Sequence, residues 1–215
     1  HIECARLLAV EKGANVEAQS INQIEPAEAQ YGTRVTVSGD NLLGGGASVN
    51  SITMAGVEHV SKITSESNTD ITVVISDGDA ATGIVVITAD SGAQVSSSAD
   101  SFTYVVNGEI QDVSPSSGQE RSPVTITGER LLGGGDSAET VTLAGLEAEV
   151  DSSTATEVVV FAARSATATT GDIVITADSG AIVTASDAWE YIEAGVIDAV
   201  TPASGQEGTE VVITG

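Results

Sequence analysis

The sequence predicts an all-β chain built as tandem β-sandwiches, and three observations predict it. The chain matches itself at intervals of 89 and then 87 residues. Aromatic residues are only 3% of the chain while hydrophobic residues reach 41%, so the cores must be filled by Val, Ile, Leu and Ala; β-branched side chains pack well on a pleated surface. Twenty-three glycines against four prolines mark frequent tight turns between short segments, with no helical period in between.

The repeat is read by laying the chain on itself. Ile110-Gln-Asp-Val-Ser-Pro115-Ser-Ser-Gly118-Gln-Glu120 returns as Ile197-Asp-Ala-Val-Thr-Pro202-Ala-Ser-Gly205-Gln-Glu207, and a looser copy begins at Ile24-Glu-Pro26. Each copy leads into an alternating run that ends in glycine, at Gly39, Gly128 and Gly215. Leu42-Leu-Gly-Gly-Gly46 matches Leu131-Leu-Gly-Gly-Gly135, and Met54-Ala-Gly-Val57 matches Leu143-Ala-Gly-Leu146. Thr88-Ala-Asp-Ser-Gly92 matches Thr176-Ala-Asp-Ser-Gly180, and Phe102-Thr-Tyr104 matches Trp189-Glu-Tyr191.

In the second copy the pattern predicts strands near 110–113, 123–127, 139–144, 146–150, 156–161, 172–177, 181–184 and 188–192. Alternation at Val124 and Ile126, Val141 and Leu143, and Ile173 and Ile175 gives each strand one inward face. Asp178-Ser179-Gly180 reads as a hairpin turn with glycine at positive φ. Pro115 and Pro202 fall at the edge of an opening strand, where a missing amide donor costs least. About seven such strands in one unit of this length make a two-sheet sandwich, with Trp189 and Phe102 expected at matching buried positions.

These motifs resemble the IPT/TIG domain, the immunoglobulin-like module shared by plexins, some transcription factors and many surface proteins. The signature is the opening Val113-x-Pro115-x-x-Gly118, then Val124-Thr-Ile-Thr-Gly128, the mid-domain Ala144-Gly145 and the closing Trp189-x-Tyr191, and it runs from residue 24 to 215. The resemblance implies tandem immunoglobulin-like β-sandwiches over 23–108 and 109–195, with the opening strands of a third, incomplete sandwich at 196–215 and a leader at 1–22. The Gly-Gly-Gly insert and Gly-Gln-Glu opening are similar to long tandem arrays of microbial and algal surface proteins. Residues 1–19 resemble the second helix and exit turn of an ankyrin repeat, with Ile2, Ala5, Leu7 and Leu8 on one face and Gly13 at the C-cap.

Charge narrows the function classes. Thirty-one acidic residues against seven basic ones leave a net charge of −24. Such a surface repels phosphate backbones and anionic lipid, and the basic loop residues by which transcription-factor members of this family touch DNA are lacking. Neither nucleic acid nor membrane insertion is expected, and no run of about eighteen apolar residues occurs. Cys4 is the only cysteine, so no intrachain disulfide can form.

Enzymatic readings fail on inventory. Only His1 and His59 could serve as imidazole bases, and His59 is expected on the surface, away from any nucleophile. No Gly-x-Ser-x-Gly elbow, P-loop or His-Glu-x-x-His is present. The glycine runs follow strands and precede no Lys-bearing helix, so they read as turns. Asp77-Gly78-Asp79 offers two hard oxygen ligands suited to calcium, but the matching Arg164-Ser-Ala-Thr stretch has no acid; no metal site and no cofactor is expected. The acids at the unit junctions, Glu109 and Asp112, then Glu193 and Asp198, are a weaker place for the same ion. No Asn-x-Ser/Thr sequon occurs, leaving Ser96–Ser98 and Thr167–Thr170 as places for O-linked glycans.

The expected function is therefore non-enzymatic: an extracellular or cell-surface structural and adhesive repeat, forming a stalk or fibril with head-to-tail or lateral self-association. An intracellular scaffold joining ankyrin-like and IPT/TIG modules is the rival that residues 1–19 suggest. A carbohydrate-binding surface module is the third, disfavoured by the scarcity of aromatic platforms. The equal five-residue junctions, 105–109 and 192–196, predict restricted angles between neighbours. A chain that continues past Gly215 into a full third sandwich is the expected remedy for strands otherwise left unpaired.

Overall fold

Strand formation follows the β-branched alternation closely. The structure, a computed structural model, describes residues 18–59 and 62–215. The ankyrin-like reading of residues 1–19 thus falls, apart from its last two residues, outside the described residues, as do His1 and Cys4. The chain divides into two compact units, one ending at Val106 and one starting at Asn107.

In the first unit the strands are β1 (Ser20–Glu25), β2 (Glu28–Ala29), β3 (Arg34–Asp40), β4 (Val49–Met54), β5 (Val57–Glu58), β6 (Ile63–Glu66), β7 (Asp70–Val74), β8 (Ala81–Gly83), β9 (Val85–Ala89), β10 (Gln94–Ser96) and β11 (Phe102–Tyr104). One sheet runs β1-β3-β7-β6, and β10-β9-β4-β5 with β2-β11-β8 make the other face. β1 starts at Ser20, three residues ahead of the expected sandwich boundary. The alternating positions Val35, Val37, Ile52, Met54, Ile71, Val73, Val85 and Ile87 are all fully buried between the faces, each worth about 1.5–3 kcal/mol of transfer free energy.

The second unit repeats this plan with β12 (Glu109–Ser114), β13 (Ser117–Gly118), β14 (Pro123–Glu129), β15 (Ala138–Leu143), β16 (Leu146–Ser153), β17 (Glu157–Phe161), β18 (Thr169–Ala177) and β19 (Ile182–Tyr191). Its strand order is β12-β14-β17-β16-β15-β18-β19-β13. β16 links the two faces: Leu146–Ala148 pair with β15, and Glu149–Ser153 pair with β17. The expected separate strands at 181–184 and 188–192 are one strand here. A bulge absorbs the irregularity opposite Gly171 and Ile173, where Asp187 takes φ 51° and its amide donates to Asp172 Oδ1 at 2.9 Å. The first unit has one more residue between Gly92 and Phe102 than the second has between Gly180 and Trp189, and there β10 and β11 stay apart.

The shared motifs turn out to contact one another. Gly39, Gly128 and Gly215 sit where a Cβ would fall 2.0 Å from the carbonyl oxygens of Ser20, Glu109 and Val196. No side chain fits there, which is why each alternating run ends in glycine. Ala55-Gly56 and Ala144-Gly145 both lie at positive φ, turning β4 into β5 and β15 into β16 as tight hairpins. The Leu-Leu-Gly-Gly-Gly and Thr-Ala-Asp-Ser-Gly motifs form one clasp. Asp178 accepts from the Asp136 amide at 3.0 Å and the Ser137 hydroxyl at 3.3 Å, and Asp90 accepts from the Ala47 amide at 2.9 Å and the Ser48 hydroxyl at 3.4 Å. A Cβ on Gly135 would lie 2.2 Å from Asp178 Oδ1, and one on Gly46 2.4 Å from Asp90 Oδ1.

The closing aromatics are buried as expected. Phe102 and Trp189 have no exposed surface, and each meets the following tyrosine edge to face, at 5.3 Å for Phe102 with Tyr104 and 5.5 Å for Trp189 with Tyr191. Beyond the second sandwich, β20 (Ala199–Thr201) pairs with β21 (Val212–Thr214). Its register, Ala199 with Thr214 and Val200 with Ile213, is that of Asp112 with Thr127 and Val113 with Ile126, and of Gln23 with Ser38 and Ile24 with Val37. The same opening hairpin is therefore laid down three times.

Candidate functional site

Chemistry concentrates at the end of each sandwich where its closing strand finishes. There the opening turn (30–33 in the first unit, 119–122 in the second) meets the segment after β7 or β17 and the last residue of β11 or β19. Matching backbone bonds make the two ends superposable: Gly32 donates to Ile75 O at 3.0 Å and Arg121 to Ala162 O at 2.8 Å, while Ile75 donates to Thr33 O and Ala162 to Ser122 O.

In the first unit His59 lies at this end, and it corrects the expectation of a surface residue. The ring is fully buried. Its Nδ1 accepts from the Ser76 amide at 3.1 Å, so the proton sits on Nε2 and is directed at the Tyr104 hydroxyl 2.5 Å away. Burial lowers the imidazole to about 4, and burial together with the Asp77 charge pushes the Tyr104 phenol up to about 12. Both groups are thus neutral across the physiological range, and the pair acts as a crossbar joining the end of β5 to β7 and β11. Ser76 Oγ also lies 3.2 Å from Nδ1, but that ring is closed off from solvent, which does not suit a base serving a substrate. No sequence signal marks His59 as buried, because its partner lies forty-five residues away.

In the second unit the tyrosine is kept, as Tyr191, and the positions around it change. Ala148 stands where His59 does, since Val141 pairs with Ala148 as Ile52 accepts from His59. Ala163 replaces Ser76, Arg164 replaces Asp77, and Arg121 replaces Gly32. The buried Tyr191 hydroxyl consequently has no side-chain hydrogen-bond partner among the described residues. Burial pushes its phenol up, while a hydrogen bond from the Ala163 backbone pulls the other way. Above it opens a cleft of about 550 Å³ whose polar lining is Gln119, Glu120, Arg121, Arg164, Ser165 and Tyr191. Gln119 Oε1 accepts from the Gly195 amide at 3.3 Å, whereas its counterpart Gln30 is wholly buried.

The other residues singled out from the sequence scatter. Asp77 and Asp79 are exposed on their turn, and no group of three or more Asp, Glu, His or Cys that could hold a metal occurs among the described residues. Glu109, Asp112, Glu193 and Asp198 are exposed at the unit starts and ends. Ser97 is engaged in the fold, accepting from the Val85 amide at 2.8 Å and meeting the Ser101 hydroxyl, while Ser96, Ser98, Thr167, Thr169 and Thr170 are exposed. The glycine runs serve the clasp described above.

Among solved structures, the full extracellular region of plexin A4 (domains 1 to 10) overlies the chain with a TM-score of 0.53 at 19% identity, over 89% of this chain and 17% of that one. A second structure of that region, with domains 1 to 8, gives 0.49 at 18% identity, over 84% and 19%. SGBP-B of the Bacteroides ovatus mixed-linkage glucan utilization locus, in complex with a mixed-linkage heptasaccharide, gives 0.33 at 15% identity, over 82% and 45%. The chain thus spans less than a fifth of either plexin structure, and the likeness to the first, at 19% identity, is one of fold alone. No curated protein matches the sequence. The IPT/TIG domain model matches residues 20–104 and 109–191, the same spans that form the two sandwiches, and the chain belongs to the IPT/TIG domain family.

Proposed function

We propose that this chain is a non-enzymatic structural and adhesive segment of an extracellular or surface protein, in which successive sandwiches build a stalk. The observation that carries this reading is the threefold recurrence of one opening hairpin in one register, with the glycine contact and, in the two sandwiches, the Asp clasp kept alongside it. What recurs is the stabilising framework; what varies is the sandwich end. That division suits a modular spacer, in which stability is a sum of similar units. The surplus of acidic residues favours solubility and resists indiscriminate association, and the exposed Thr167, Thr169 and Thr170 offer attachment points for O-linked glycans. Self-association, head to tail or lateral, is part of the proposal.

The test combines surface labelling of intact native cells with electron microscopy of the purified protein. A membrane-impermeant amine reagent should tag the protein on intact cells, and micrographs should show slender rods or filaments. Labelling only after lysis would overturn the surface assignment. Particles that remain monomeric at high concentration would remove self-association and leave an adhesive stalk.

A further inference from the structure

The acidic chain gathers two of its few cations at one place. Arg121 and Arg164, two of only seven Lys and Arg in the sequence, both line the cleft at the end of the second sandwich. Among the described residues neither guanidinium has a hydrogen-bond or ion-pair partner, although acids outnumber bases by more than four to one. Arg121 also stands in a costly conformation. Its φ is 65°, in the left-handed region, where the corresponding residues of the other two repeats are Gly32 at 86° and Gly208 at 82°. A non-glycine residue is strained there, so the arginine sits against the local preference of the turn. Beneath the pair lies the fully buried Tyr191 side chain, whose hydroxyl lacks the histidine that serves Tyr104, replaced here by Ala148, and is left with the Ala163 backbone amide alone.

The geometry points to a carboxylate-binding site in this cleft, with a small sugar acid, such as a uronic acid at the end of a glycan, as its ligand. A guanidinium offers a planar fork of donors that matches a carboxylate, and two of them in one wall accommodate one anionic group. The rest of the polar lining offers one free donor, the amide nitrogen of Gln119, whose Oε1 is taken by Gly195; the Ser165 hydroxyl is already bonded to the Thr167 backbone. That amide answers a ligand hydroxyl. The volume, about 550 Å³, falls in the roughly 300–1,000 Å³ range of small-ligand pockets.

Charge selects among anions. Glu120 lies in the same wall and opposes a phosphate dianion more than a monocarboxylate. The net charge of −24 repels a polyanion or a second copy of this chain over about one Debye length, roughly 8 Å at physiological salt, whereas a single carboxylate on an otherwise neutral carrier meets little of that repulsion.

The repeats themselves supply the variants. Arg121→Gly and Arg164→Asp install the residues that the first unit carries at the same two places in a folded sandwich, so both should keep the fold, as checked by the emission of Trp189. Titration of the full chain with glucuronate, galacturonate, glucose and inorganic phosphate, followed by NMR shifts of the arginine side chains and the Tyr191 ring, reads binding directly. Expected are saturable shifts with the two uronates, none with glucose, weaker shifts with phosphate, and a loss of affinity of about tenfold or more in each arginine variant. Phosphate binding as tightly as uronate would overturn the monocarboxylate assignment, and uronate binding unchanged in both arginine variants would overturn the site. Concentration-dependent dimerisation that the arginine variants abolish, with no uronate binding, would reassign the cleft to a carboxylate of a second copy and sink the sugar-acid reading. The stalk proposal does not depend on any of these results.

Discussion

Replacing Gly128 by alanine puts a methyl group where the fold has no room for one. The added Cβ would lie 2.0 Å from the Glu109 carbonyl oxygen and 2.9 Å from Leu131 Cδ2. The leucine methyl can swing aside, but the carbonyl belongs to β12, which is held in register by Glu109 with Glu129 and Ile110 with Gly128. Relief therefore requires the opening strand to move by more than an ångström, against a core containing the fully buried Val124, Ile126 and Leu131. Overpacking of this kind costs about 1–3 kcal/mol, and the immobile backbone partner places Gly128→Ala toward the upper end. With a urea slope of about 1–3 kcal/mol per molar, the midpoint should fall by roughly 1 M or more. Trp189, the single tryptophan, lies in the second sandwich and reports its unfolding by fluorescence without interference from the first. Gly39→Ala, with the same 2.0 Å approach to Ser20, serves as the matched control: it should leave the Trp189 transition in place while lowering a transition followed by circular dichroism. A Gly128→Ala protein with an unchanged Trp189 midpoint would refute the close-approach explanation for the repeated glycine.

Three further outcomes follow from the packing and the buried polar groups. Trp189→Ala should cost the second sandwich about 3–5 kcal/mol in urea denaturation followed by circular dichroism, because the indole is fully buried against Tyr191; an unchanged curve would contradict that burial. His59 should make the first sandwich acid-sensitive: the unfolded ring gains its proton near 6.5 and the folded ring only near about 4, so stability is fully present above 6.5 and declines as pH falls from there to about 4. The loss is on the order of 2–3 kcal/mol, and His59→Gln should flatten that limb of the thermal stability profile. Asp178 should act lower on the pH scale, since burial raises its carboxyl but hydrogen bonds from Ser137, Asp136 and Ser179 prevail and hold it below the ordinary range. Its contribution is present above the unfolded value and fades as pH drops through the folded one, and Asp178→Ala should lower the Trp189 midpoint at neutral pH but not in strong acid.

Periodicity carried the architecture in the sequence alone. The two-residue alternation at Val124 and Ile126 or Ile173 and Ile175 names the inward face without any knowledge of what it packs against, and recurrence at one offset aligns Gly39, Gly128 and Gly215 before any contact between strands is known. Trp189 and Phe102 were legible as core for the same reason: they are large, apolar and placed identically in two copies. Chemistry at the sandwich ends was not legible, because it depends on loops brought together from far apart. His59 reads as a lone polar residue until β11 delivers Tyr104 to it and β7 delivers the Ser76 amide. Arg121 and Arg164 are forty-three positions apart, and only closure of the two sheets places them in one wall above Tyr191. Likewise, the merging of two expected strands into β19 turned on a bulge held by Asp172 and Asp187, a contact between neighbouring strands. Alternation is a property of consecutive residues and survives in one dimension, whereas burial of a polar group and convergence of like charges are set by which strand ends share one edge of the sandwich.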